Sequence, residues 1–145
     1  MKPLFRNIIW SLSVLFVAGC VTPMKLNPEE KAFLEKVKTA PLEFNVSKEE
    51  VTDAWGRAQS YVGQYSSMKL QTATDFVIQT YNPVMGDAGW GYSATKTPMG
   101  KEFKISVKCL ASNMFVKDLT ESNARIFANY VKTGEMPPDV RLIHR

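Results

Sequence analysis

Histidine is almost missing from this chain. The one residue, His144, sits next to last. A catalytic couple would therefore need a terminal tail, seldom firmly held, to meet its partner within about 3 Å. Cysteine is nearly as scarce, with Cys20 and Cys109 the two present. Zinc sites take three or four side chains, so no metal is expected. The acidic residues Asp75, Asp87, Glu102 and Asp118 do not reproduce a spaced calcium loop. Glycines 86, 89 and 91 lie between β-like segments and open no helix, so a phosphate loop fails on context. Charge of one sign is not in large excess, at 18 basic against 14 acidic side chains. Nucleic acid would want a basic patch or stripe, and is not an expected partner. Repeats and low-complexity segments are absent. No catalytic residue and no cofactor can be named.

What is present begins at the N-terminus. Lys2 and Arg6 precede an apolar run, Ile8 to Ala18, broken only by Ser11 and Ser13. That run is about eleven residues long, against roughly twenty for a spanning helix. It closes on Val17-Ala18-Gly19-Cys20, the layout of a secretory signal peptide with cysteine directly after the small residues. This ending resembles the lipobox of bacterial lipoproteins. The resemblance implies cleavage between Gly19 and Cys20, thioether lipidation of Cys20, and acylation of the new amino terminus. Two or more acyl chains hold stably where one holds only marginally. The residue after the cysteine is Val21 and not Asp, which by the same resemblance favours the outer membrane, periplasmic face, of a Gram-negative host.

The chain then divides into a signal peptide over 1–19, a lipidated cysteine and short tether over 20–26, and a single domain over 27–145. Removal of Lys2 and Arg6 lowers the net charge from +4 to +2. If Cys20 is lipidated, Cys109 has no disulfide partner in the chain. Its segment, Phe103 to Cys109, alternates strictly and places the thiol on the apolar face with Ile105 and Val107. A buried, structural thiol is the expectation.

Asn27-Pro28-Glu29-Glu30 starts a helix, with Asn27 as cap and Pro28 at the first helical position. Phe33, Leu34 and Val37 form its stripe, and Ala40-Pro41 ends it. Leu42, Phe44 and Val46 alternate as a short strand. Ser47 and Glu50 make a capping box, and Val46 and Val51 a hydrophobic staple. The following helix carries Val51, Ala54, Trp55, Ala58, Val62 and Tyr65 on one stripe, with Asp53, Arg57 and Gln64 on solvated positions. Met68 to Tyr81 reads as one long strand with a bend or bulge near Thr74-Asp75. Asn82-Pro83 and Gly86 to Gly89 form a loop. Trp90, Tyr92 and Ala94 alternate next. Pro98 to Lys101 turns the chain, and Glu102 to Ala111 completes a hairpin. A loop over Ser112 to Leu119 precedes a helix capped by Thr120, with Ala124, Phe127, Ala128 and Val131 as its seam and Gly134 at its end. Val140 to Arg145 has the look of a further edge strand.

Clustered strands flanked by amphipathic helices predict an α+β fold: a two-layer domain with an antiparallel sheet of three to four strands and two to three helices. The order helix, helix, three strands is loosely similar to the small lipoprotein of the outer-membrane β-barrel assembly machinery. The extra C-terminal helix departs from it, and no functional residue carries over. Apolar groups crowd two loops, Tyr81, Trp90 and Tyr92 in one and Met114, Phe115 and Val116 in the other. Such groups fold inward and cap the open end of the sheet, or, where they stay exposed, form the candidate interaction surface. The expected partners are the bilayer, through Cys20, and another envelope protein. The expected role is non-enzymatic binding or assembly. The alternative is a small-ligand or cell-wall-binding module, or a hydrolase of low motif content. Replacing Cys20 with Ser is expected to abolish incorporation of an alkyne fatty acid in growing cells; equal labelling of parent and variant would end the lipoprotein reading.

Overall fold

The structure, a computed structural model, describes residues 25–87, 89–112 and 117–144. Side chains of Lys117 and His144 are not among those described. The signal peptide, Gly19, Cys20, Met114, Phe115 and Val116 lie outside the described residues, as does any role for the His144 imidazole.

Helix α1 spans Pro28–Val37. Asn27 Oδ1 accepts the Glu30 N–H at 2.8 Å, and the Glu30 carboxylate accepts the Asn27 N–H at 2.7 Å. This reciprocal box satisfies two donors that a helix start leaves open. It also explains how a glutamate only 3 % exposed is tolerated, with Arg141 as a second partner at 3.7 Å. Strand β1, Glu43–Ser47, buries Phe44 and Val46 and exposes the residues between. The reciprocal Ser47–Glu50 bonds form, at 3.2 and 3.3 Å, but they close a turn ahead of α2, Val51–Tyr65, whose N-cap is Glu50 and carries no side-chain cap bond. Helix α2 buries the expected stripe from Val51 to Val62, leaves its last member Tyr65 only half-buried, and also buries Tyr61, which completes a second row with Ala54 and Ala58. Arg57 is not simply solvated: its Nε donates to the Val131 carbonyl at 2.8 Å.

The segment expected as one bent strand folds back on itself. Strand β2, Leu70–Ala73, and strand β3, Val77–Thr80, pair antiparallel. Thr74 is the reason. Its Oγ1 accepts the N–H groups of Phe76 and Val77 at 3.2 and 3.0 Å, a side-chain turn that competes with strand extension. Strands β4, Trp90–Met99, and β5, Glu102–Ala111, form the expected hairpin, paired from Trp90↔Ala111 to Met99↔Glu102. The sheet therefore has five strands, not three to four, in the order β1-β5-β4-β3-β2, with every neighbouring pair antiparallel.

Helix α3, Lys117–Thr133, begins a turn earlier than Thr120. It ends where expected. Gly134 has φ +78°, and its N–H reaches the Tyr130 carbonyl at 2.8 Å, a left-handed cap that glycine adopts without strain. The seam of Ala124, Phe127, Ala128 and Val131 is buried, and so are Asn123, Ile126 and Asn129. The buried girth exceeds one stripe because α3 packs on β5 with one face and meets α1 and the C-terminal segment with others. That segment is a 3₁₀ helix, Val140–His144, and not an edge strand. Asp139 starts it by accepting the Arg141 N–H at 2.8 Å, and Leu142 and Ile143 are fully buried.

The fold is α+β, with helices on one face of an antiparallel sheet. At its centre Tyr61 stacks on Phe127 at 4.5 Å, and Tyr92 meets both edge-on at 5.3 and 5.6 Å. Among the described residues no helix is long and apolar enough to cross a membrane. Trp55 lies mid-stripe on α2 and is buried. Trp55→Ala is expected to cost about 3–5 kcal/mol of unfolding free energy in urea denaturation; a loss under about 0.5 kcal/mol, the surface range, would mean the packing face of α2 is wrong.

Candidate functional site

The aromatic residues singled out in the sequence separate in the structure. Tyr81 is exposed, at 53 %. Trp90 is half-buried against the core, its carbonyl bonded by Ser66 Oγ and the Ser67 N–H, both at 3.1 Å. Tyr92 is not a surface residue. Alternation along β4 turns it toward the helices with Ala94, and Tyr61 and Phe127 cover it to 0 % exposure. Loop position in sequence was a poor guide, because β4 begins two residues before Tyr92.

Sequence reasoning missed the most exposed apolar group among the described residues. Between β3 and β4 the Asp87 N–H bonds to the Val84 carbonyl at 2.9 Å, while the Asp87 carboxylate accepts the Val84 N–H at 2.9 Å. Gly86 has φ +99° at the third position, which defines a type II turn. Met85 occupies the second position and is 96 % exposed; Val84 is 66 % exposed. The turn is thus braced from both sides and displays two apolar side chains to solvent. Ser112 Oγ donates to the Asp87 carbonyl at 2.8 Å and ties the turn to the end of β5. Leu70, also half exposed, adjoins Tyr81 through the Leu70↔Thr80 pairing and the Tyr81 N–H bond to Lys69 at 2.9 Å. An apolar pair directly before Gly-Asp was the available signal.

A groove of about 600 Å³ runs between α1 and the N-terminal half of α3. Leu26, Leu34 and Val37 supply its apolar surface, and Lys31, Lys38, Asp118 and Glu121 its charged margin. Arg125 stiffens one wall, donating from Nη1 to the Ala40 carbonyl at 2.7 Å and from Nε to Glu121 at 3.1 Å. No periodicity announces such a groove, since it arises from how two helices cross.

The opposite end of the core, near the β4–β5 turn, is closed. Lys96 Nζ sits 5.0 Å from the Trp55 ring, 5.6 Å from Phe76 and 6.0 Å from Phe103. The ring faces attract the cation while its stem covers apolar surface.

Cys109 is buried on the helix-facing side of β5, opposite Tyr92. Burial pushes its thiol up to about 12, although the Tyr92 hydroxyl pulls the other way. Burial likewise pushes the Tyr61 and Tyr92 phenols above their ordinary range. The Tyr61 and Tyr92 hydroxyls and the Cys109 thiol act on one another, but neither hydroxyl makes a hydrogen bond of full geometry among the described residues, and nor does Trp55 Nε1. A thiol this reluctant to ionise is a poor nucleophile. Among the described residues no three His, Cys, Asp or Glu side chains converge as a metal site.

Cys109 is expected to resist a thiol reagent in the folded protein and to react once denaturant is added. Its raised pKa also sets a sign. The folded state holds the proton more tightly, so this contribution is complete below about pH 8.5 and is lost as pH rises toward 12. The slope is about 1.4 kcal/mol per pH unit where only the unfolded thiol is ionised. Urea midpoints for the parent and Cys109→Ala, taken on either side of about pH 9, measure it. The parent should lose more stability than the variant on going alkaline; identical losses would contradict the burial of the thiol.

No protein-family model matches the chain, and neither a curated protein nor a solved structure is significantly similar to it.

Proposed function

We propose that the protein is an envelope lipoprotein, held to a bilayer by acylated Cys20, that binds another envelope protein and performs no chemistry of its own. The observation that carries the binding role is the groove between α1 and α3. Its apolar strip is flanked by charges of both signs, the composition of a protein-docking surface with a polar rim. Leu26, which lines it, is only six residues from Cys20. A site so near the anchor suits a partner that is itself at the membrane. The inert setting of Cys109 supports the non-enzymatic side of the reading.

A second reading has one observation in its favour. The groove volume of about 600 Å³ falls within the range of small-molecule pockets, roughly 300–1,000 Å³. A small-ligand or cell-wall-binding module is therefore the alternative.

Photo-crosslinking in living cells separates the two. A benzoylphenylalanine at Glu121, on the groove margin, is expected to give a discrete protein adduct. A second substitution, Leu34→Gln, should remove that adduct while leaving the circular dichroism spectrum unchanged. Adducts to peptidoglycan fragments alone, or none at Glu121 in well-folded protein, would replace the protein-partner reading with the alternative.

A further inference from the structure

We infer that the end of the domain carrying the Val84–Asp87 turn lies against the bilayer, with Val84 and Met85 entering the headgroup layer beside the anchor. The inference rests on the lipid-anchor reading above and adds an orientation and a second, non-covalent membrane contact.

Chain length is the first constraint. The residues between Cys20 and Leu26 reach about 20 Å when fully extended, at roughly 3.3–3.6 Å each. A domain of about 120 residues has a radius of gyration near 14 Å, so its full width exceeds the tether. The domain cannot turn freely below the membrane. Whatever end holds Leu26 must stay close to it.

Connectivity fixes which end that is. Leu26 shares its groove with Asp118 and Ser122 in the opening turns of α3. Helix α3 begins five residues after Ser112, and Ser112 Oγ is bonded to Asp87 in the turn. Strand β3 runs toward this end and β4 leaves from it, with Trp90 paired to Ala111 at the finish of β5. The turn and the point where the tether enters therefore belong to one end of the sheet. The other end, with the β4–β5 turn and Lys96 over its aromatic rings, faces away.

The side chains at the near end have the chemistry of the membrane interface. Met85 and Val84 are apolar, exposed and held on a turn that hydrogen bonds stiffen from both sides. A stiff apolar tip loses little conformational entropy when it enters the headgroup region. Tyr81 stands beside it, and aromatic residues favour the headgroup level. Lys69, bonded through its carbonyl to Tyr81, supplies positive charge where an anionic leaflet attracts it. One acylated residue restricts the domain to the surface; the turn then needs only a weak contact to set its orientation, because tethering raises the effective concentration.

The test uses the full-length, lipidated protein in vesicles of phosphatidylethanolamine and phosphatidylglycerol. An environment-sensitive nitrobenzoxadiazole probe is attached at Met85→Cys, and, as the control on the far end, at Lys48→Cys, which is exposed just before α2. The probe at 85 should shift its emission to shorter wavelength and be quenched by headgroup-labelled spin lipid, while the probe at 48 stays water-like. Mass spectrometry of the N-terminal peptide reports the anchor separately. A water-like probe at 85 on a protein whose Cys20 carries its lipid would overturn the orientation and leave the anchor standing. An unmodified Cys20 would overturn both. Equal quenching at 85 and 48 would mean the domain lies on the membrane without a preferred face, and would also overturn the inference.

Discussion

The contact between Tyr61, Phe127 and Tyr92 joins α2, α3 and β4, and most of the remaining structure is arranged around it. Each ring buries about 150–250 Å², worth roughly 4–6 kcal/mol at 25 cal/mol per Å². Two of the rings bring hydroxyls that make no hydrogen bond of full geometry among the described residues, at a cost of at most about 1–3 kcal/mol each, eased by their contact with each other and with the Cys109 thiol. Burial wins by a clear margin, so the polar atoms are carried inside by their rings. The same enclosure covers Cys109, directly across from Tyr92, and favours the protonated form of its thiol. Because these rings come from two helices and the sheet, they also fix the helices' positions and hence the groove that α3 forms with α1.

This core leaves the two ends of the domain unlike each other. At the far end, Lys96 lies across Trp55, Phe76 and Phe103, and the tight turn between β4 and β5 closes the sheet. At the near end, three features gather: the entry of the chain at Leu26, the groove, and the braced turn with Met85 at its tip. Rigidity is common to them. Arg125 bonds to Ala40 and Glu121 along the groove wall, and Asp87 bonds to Val84 within the turn. A surface built this way meets a partner with little ordering cost. The proposed anchor at Cys20 would bring that surface to the membrane and hold it there.

The parts of the fold that local chemistry decides were legible in the sequence. Asn27 caps α1, Ser47 and Glu50 close the turn before α2, Gly134 ends α3, and Gly100 and Lys101, the second half of the expected Pro98 to Lys101 turn, reverse the β hairpin, each through bonds within a few residues. The face of Cys109 followed from alternation. Where two local codes compete, the reading failed. The alternation over Met68 to Tyr81 is real, yet the Thr74 hydroxyl takes the Phe76 and Val77 amides and breaks it into two strands. Long-range packing was also invisible. The C-terminal tail alternates like an edge strand, but Leu142 and Ile143 find a buried site against α3 and the tail coils instead. Of the candidate surface, Tyr81 is exposed and Tyr92 is not, because exposure depends on which strand face meets the helices. The groove belongs to a helix crossing that no single segment encodes.

Hydrogen exchange on the lipidated protein, in vesicles and in detergent micelles, tests most directly whether one end of this domain is turned toward the membrane. The orientation predicts that amides of residues 81–87 exchange more slowly in vesicles than in micelles, while those of residues 48–56 and 96–104 exchange alike in both. Equal exchange at 81–87 in the two settings, or added protection at the far end, would contradict it.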